Sequence, residues 1–285
     1  MSTELLASCW TTAGNVRPGM TGPNSPHSFE ARVTAAATAG FTGFGIGIDD
    51  LRHARNTIGY RTARRILEDN GMTRLQIEFV DHWWRPEDGE VASTIDDLLA
   101  AAEALGAHHI KIGAGSRLDQ RPDPDQLVDR FRSFAQRAAD AGTRIALEPA
   151  AFSMFPRTTD AGAFVDTADH PAGGIIVDIW SVFRSGQPYS ELVERLTPQR
   201  IFAVELNDGA REPVGTLIGD TFDHRLQCGA GEFGIESFID AMRALAYDGH
   251  WGIEVMSDHF RTLSLAQAVR ESFESGRRVL QPARV

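Results

Sequence analysis

Short apolar runs alternate along this chain with longer stretches in which apolar positions recur every three or four residues. The runs read as strands near 5–10, 42–48, 74–80, 108–113, 144–149, 174–180, 200–206 and 250–256. The longer stretches are rich in Ala, Leu, Arg and Glu. They read as helices near 28–39, 57–70, 91–105, 124–141, 159–168, 188–196, 235–246 and 262–279. In 91–106 the spacing of Ile95, Leu98, Leu99, Ala102 and Leu105 makes one apolar face. Asn70-Gly71, Leu105-Gly106, Ala141-Gly142 and Asp248-Gly249 mark helix stops before new strands. Thr94 with Asp97, and Thr159 ahead of a helical run, resemble N-cap regions.

Strands that are apolar on both faces suit a parallel sheet covered by helices. Eight strand–helix repeats predict an α/β fold, a closed (β/α)8 TIM barrel forming a single domain over residues 1–285. Such barrels typically take ~250 residues. A doubly wound sheet is the alternative, but the glycine-rich turn it wants after the first strand is weak here. The segments after the strands are long and polar and those before them are tight. In this barrel the loops after the strands carry the chemistry.

The composition narrows the class. The chain has 285 residues, of which 42% are hydrophobic, enough for a sizeable core. No run of 18 or more apolar residues is present, so no membrane span is expected. The first residues lack the basic and apolar regions of a signal peptide. Cys9 and Cys228 form neither a disulfide framework nor a zinc spacing, which predicts a reducing, cytoplasmic setting. The formal charge of −11 argues against a nucleic-acid binder, whose affinity rests on neutralising phosphates. The expected partner is a small molecule, and a homo-oligomer is allowed.

Four apolar runs end on an acid: "RIALEP" (Glu148), "GIIVDIW" (Asp178), "IFAVELND" (Glu205) and "WGIEVMSD" (Glu254). They sit at or near the C-terminal ends of strands five to eight. Two unit charges 4 Å apart repel by ~4 kcal/mol at an effective dielectric of 20. Protonation of some acids, or a divalent cation among them, relieves that cost. An all-oxygen set favours Mg2+ or Mn2+ over zinc. Each acid alone is as readily a solvated or helix-capping group; four on consecutive strands point to a site.

"ALEP", "IIVDIWSVFRSG", "VELNDGAR", "HRLQCGAGEFGIESFIDAM" and "YDGHWGIEVMS", in that order, resemble the xylose isomerase-like TIM barrel superfamily of sugar phosphate isomerases and epimerases. The resemblance covers about residues 5–275. It implies a site for Mn2+, Mg2+ or Co2+ with Glu148, Asp178 and Glu254 among its ligands, the two glutamates doubling as acid and base. The sequence departs from the family at three places. Glu205 stands where the family has a histidine, Ser181 where it has a substrate-contacting histidine, and Met154 lies where a second glutamate often follows the strand-five ligand. Glu205 is either a fourth ligand or a base or substrate anchor.

Lys111 in "HHIKIG" either orients a substrate oxyanion or acts as a base, or else lies outside the barrel. His108, His109 and His250 open strands and read as structural. Arg211, His224 and Arg225 follow strand seven and are candidate substrate contacts and local cations. Glu78, Trp83, Trp10 and Trp180 fall near strand ends. Aromatic faces there stack on sugars and acids bind hydroxyls, although packing beneath loops explains most tryptophans. "GAGEFG" (229–234) matches a nucleotide-loop pattern but lacks its strand–helix context, and reads as the turn before a helix.

The expected activity is divalent-metal-dependent isomerisation or epimerisation of a carbohydrate, a keto-sugar or polyol. A carboxylate removes the proton beside a carbonyl and the metal stabilises the enediolate. The alternatives are a lyase or dehydratase of the same superfamily acting on a keto-sugar or 3-keto-glycoside, and a non-catalytic sugar-binding subunit. An endonuclease IV-type barrel would need a histidine-rich zinc site and a basic surface, and the chain has neither.

Overall fold

The computed structural model describes residues 2–20, 25–116 and 122–281. Eight strands form one closed parallel barrel in sequence order. They are β1 Leu5–Ala7, β2 Gly43–Gly47, β3 Arg74–Val80, β4 His109–Ile112, β5 Ile145–Leu147, β6 Gly173–Asp178, β7 Ile201–Leu206 and β8 Trp251–Ile253. The barrel closes where β1 pairs with β8, Ala7 opposite Ile253.

The period of two along each strand divides the side chains between two cores. On β4, Ile110 and Ile112 face the helices, while His109 and Lys111 point into the barrel. The outward set joins the main core with the apolar faces of the helices Gly89–Leu105, Pro124–Asp140 and Leu265–Leu280. A small inner cluster holds Ala146, Ile176, Phe202 and Ala203. Much of the remaining interior is polar and buried: Gln76, Glu78, His109, Lys111, Glu205 and Glu254. A Cβ on Gly252 would lie 3.0 Å from Glu205 Cγ, so the missing side chain there leaves room for that carboxylate.

The strands are shorter than the apolar runs. β1 stops at Ala7 and Cys9–Thr12 is helical; β6 stops at Asp178, whose carboxylate caps the helix Ile179–Arg184. The helix expected over 57–70 is Tyr60–Asp69, and a further helix that was not expected, Ile48–Thr57, precedes it, the two separated at Gly59 with φ 74°. No helix among the described residues is long and apolar enough to cross a membrane.

Candidate active site

Parallel register puts Glu78 beside Lys111, and Asp178 beside Glu205. Glu148 and Glu254 lie one residue past β5 and β8, where the ladder still holds their backbones: Glu148 N donates to Ile112 O at 2.9 Å and Glu254 N to Leu206 O at 3.0 Å. The acids of four successive strand ends therefore converge. One oxygen from each of Glu148, Asp178, Glu205 and Glu254 lies within 4.8 Å of the others.

Two cations sit among them. Lys111 Nζ is 2.8 Å from Glu205, 3.0 Å from Glu254, 3.2 Å from Glu148 and 3.7 Å from Glu78. Arg225 Nη1 is 3.1 Å from Asp178 and 3.0 Å from Glu254. Arg225 comes from the long loop after β7, which two isolated bridges, Asp208 with Leu226 and His224 with Ser257, lace over the barrel mouth. Its guanidinium also donates to Thr221 and lies over the Trp180 ring at 5.5 Å.

Burial pushes the Glu148 carboxyl up to about 7; Lys111 opposes this, and Glu254, Asp178 and Glu78 add to it. Burial, reinforced by Glu254, holds Glu205 well above the ordinary carboxylate range. For Glu254 burial also acts upward, but Lys111 and Arg225 outweigh it and the group lies below its usual value. Burial would neutralise Lys111, yet four surrounding glutamates keep it an ammonium to well above the usual lysine range.

The four-carboxylate set fits a divalent cation. Oxygen ligands around Mg2+ or Ca2+ sit at roughly 2.0–2.6 Å, so facing ligands are about 4–5 Å apart. The buried Asp178 Oδ2 accepts no hydrogen bond, its contact with Arg225 being ionic only.

Above the acids lies a cavity of about 260 Å³, lined by Glu78, Lys111, Glu148, Trp180, Arg225 and Glu254 among others. Trp10, Phe79, Phe152 and Phe222 also line it, as do Ser181 and Thr221. A more open cavity of about 670 Å³ shares Trp10, Glu78 and Phe79 with it.

Three expected substrate contacts lie elsewhere. Trp83 is 2% exposed, packed edge-on against Trp84 and Phe131, with its Nε1 donating to Gly113 O at 2.8 Å. It supports the end of β4 from outside the cavity. Arg211 is a surface residue paired with Glu232, its side chain 69% exposed. His224 is exposed, and its backbone rather than its ring ties the loop to Ser257.

Gln76 was not anticipated, although it precedes Glu78 by one strand period. Its Nε2 donates to Glu205 Oε1 at 3.0 Å, and its Oε1 meets His109 Nε2 at 3.0 Å. Nothing in the sequence flags Asp220, which receives Trp180 Nε1 at 2.8 Å and pairs with buried Arg184 at 2.7 Å. The "GAGEFG" stretch is the turn before the helix Ile235–Ala244. It wraps the Asp208 carboxylate, which accepts from Gly229 N and Phe233 N.

The chain is 27% identical over 237 residues to the 3-dehydroshikimate dehydratase of Pseudomonas aeruginosa, covering 81% of this chain but only 36% of that protein. Among solved structures, an IOLI protein with a bound zinc atom superposes with a TM-score of 0.80 at 14% identity, covering 97% of this chain and 98% of that one. The 3-keto-D-glucoside 4-epimerase of E. coli gives 0.70 at 17% identity, covering 96% and 99%. At such identities these likenesses speak for the barrel alone. The model of the xylose isomerase-like TIM barrel matches residues 33–279, and this chain belongs to that family.

Proposed function

We propose that the chain is an enzyme that enolises a small polyhydroxylated ketone, with Glu148 carrying the proton. One observation carries the reading. Among the clustered acids the Glu148 side chain opens to the cavity, at 18% exposure, while those of Glu205 and Glu254 are at 0% and 2%.

Glu148, Asp178, Glu205 and Glu254 would hold a divalent ion, Mn2+ or Mg2+ by the hardness of the donors, which would supply Lewis-acid polarisation of the carbonyl. Ionised Glu148 takes the proton from the adjacent carbon. The C–H electron pair becomes the C=C bond of an enediolate, and the former carbonyl oxygen carries the negative charge. Lys111 and Arg225 line the same cavity and face that charge. Trp10 and Trp180 cover the apolar face of the substrate, and the hydroxyls of Ser181 and Thr221 meet its polar edge.

Glu148 then gives the proton to the neighbouring carbon while the vicinal hydroxyl proton passes to the former carbonyl oxygen, which isomerises the substrate. Alternatively it gives the proton to a β-hydroxyl, which leaves as water as the carbonyl re-forms and the electron pair closes the new C=C bond. Each route needs a single proton carrier. Epimerisation at one carbon needs a second carrier on the opposite face. Both oxygens of Glu254 are engaged by Lys111 and Arg225, and both of Glu205 by Lys111 and Gln76, which argues against that route. The similarity to a 3-dehydroshikimate dehydratase favours loss of water as the second reading.

Incubation with a panel of ketoses, inososes and cyclic hydroxy-ketones in D2O, with Mn2+ or with EDTA, tests the proposal. Deuterium should enter beside the carbonyl of one substrate class and not with EDTA. An enone marks elimination and an aldehyde marks isomerisation. Protons that never exchange across the panel would leave a binding module.

A further inference from the structure

Lys111 is the only lysine in the sequence; every other residue in the Lys+Arg total is arginine. That one lysine is 1% exposed and lies inside the barrel. Its ammonium donates to Glu205 Oε2 and Glu254 Oε1 and lies 3.2 Å from Glu148 Oε1. These are three of the four carboxylates that converge at the strand ends, and the fourth, Asp178, is paired with Arg225. An ammonium is a compact point charge with three donors, suited to a cage of converging oxygens, whereas the flat guanidinium fork is not. Gln76 fixes the other oxygen of Glu205, so the Lys111–Glu205 contact is held from both sides.

We propose that Lys111 is a built-in counterion that competes with a divalent cation for the oxygens of Glu148, Glu205 and Glu254, and so sets how tightly this site holds an ion. The proposal rests on the ion-binding part of the functional reading above. The physics is charge and contact. A dication entering the cage must share oxygens with the ammonium or displace it, and like charges at that distance repel in a site screened from water. Without an ion, Lys111 offsets the repulsion among Glu148, Glu205 and Glu254, as Arg225 does for Asp178 and Glu254.

Mn2+ binding to the full chain, measured by titration calorimetry, compares the wild type with Lys111→Met. The expected result is at least tenfold tighter binding by the variant. Ion binding by the variant alone would uphold the competition and remove the ion from the functional reading. Equal or weaker binding by the variant overturns the competition and leaves that reading standing. Binding by neither overturns both. Should Lys111→Met not fold, the wild type decides, because lysine labelled with 15N at Nζ gives one side-chain resonance in this sequence. Saturation with Mg2+ is expected to move that resonance. A resonance that stays in place overturns the proposal.

Discussion

Lys111 Nζ and Glu205 Oε2 lie 2.8 Å apart across the barrel, from β4 to β7, and neither side chain reaches solvent. Removing one partner of a buried pair leaves the other uncompensated, which typically costs ~3–5 kcal/mol, while replacing both with apolar groups of similar volume is often neutral. Glu205→Met alone is therefore expected to lower stability by up to about 3 kcal/mol, since Lys111 keeps Glu254 and Gln76 keeps only its 3.3 Å bond to Glu78. Lys111→Met/Glu205→Met should recover only part of that loss, because Glu148 and Glu254 lose the ammonium as well. Urea unfolding of the two single variants and the double variant measures the coupling.

The barrel was legible because strand and helix periods alternate without interruption, and the converging acids because each closes an apolar run. Element ends were not. The helices Ile179–Arg184 and Leu217–Asp223 span fewer than two full turns, too short for an apolar face to repeat, and are set by the caps Asp178 and Thr216. Loop side chains were legible only in part. Trp180 and Arg225 reach the cavity and Trp83 and Arg211 do not, because Phe131, Asp220 and Glu232, all distant in sequence, decide which way each turns. Lys111 could be placed on a strand from sequence, but its inward direction follows from the register with Glu78.

Asp220 ties the wall of the cavity to its loop. It holds Trp180 Nε1, Arg184 and the Val214 backbone, and the Asp220 and Arg184 side chains are 2% and 3% exposed. Asp220→Ala leaves a buried guanidinium without its carboxylate, held only by the Ala210 and Arg211 carbonyls, and frees the indole, and is expected to cost ~3 kcal/mol. Because Thr221 and Arg225 follow on the same loop, substrate binding should weaken more than turnover. Trp fluorescence, unfolding midpoint and the KM-against-kcat split report the three effects. An Asp220→Ala protein with wild-type stability would contradict this account.

His108 and His109 make the floor of the barrel sensitive to acid. Burial, with Arg74 nearby, lowers the His108 pKa to about 3, and burial with His108 lowers His109 well below 6.5. The unfolded chain takes up these protons near pH 6.5 and the folded chain does not. Their contribution is therefore intact above pH 6.5 and is lost as pH falls from there towards 3. Each histidine contributes at most about 1.4 kcal/mol per pH unit within that window. Buried Glu148 and Glu205 act in the opposite sense over part of the same range, so the comparison must be made against a variant. His108→Gln is expected to lose less stability than the wild type between pH 7 and 4.5, as read from urea midpoints. Parallel curves would show that His108 is not held neutral.

Glu148→Gln separates proton transfer from architecture. The amide keeps the size of the carboxyl but cannot accept a proton from carbon, and loss of a positioned general base typically costs ~10²–10⁴-fold. Lys111 retains its hydrogen bonds to Glu205 and Glu254, and the replaced group is the one that already opens to the cavity, so the unfolding midpoint should stay near that of the wild type. Glu254→Gln should behave differently. It weakens contacts to both Lys111 and Arg225 inside the barrel, so exchange and stability fall together. Deuterium incorporation rates and thermal midpoints of the two variants, measured side by side, distinguish a proton carrier from a structural acid. If Glu148→Gln still exchanges deuterium at the wild-type rate, the proton moves through another group.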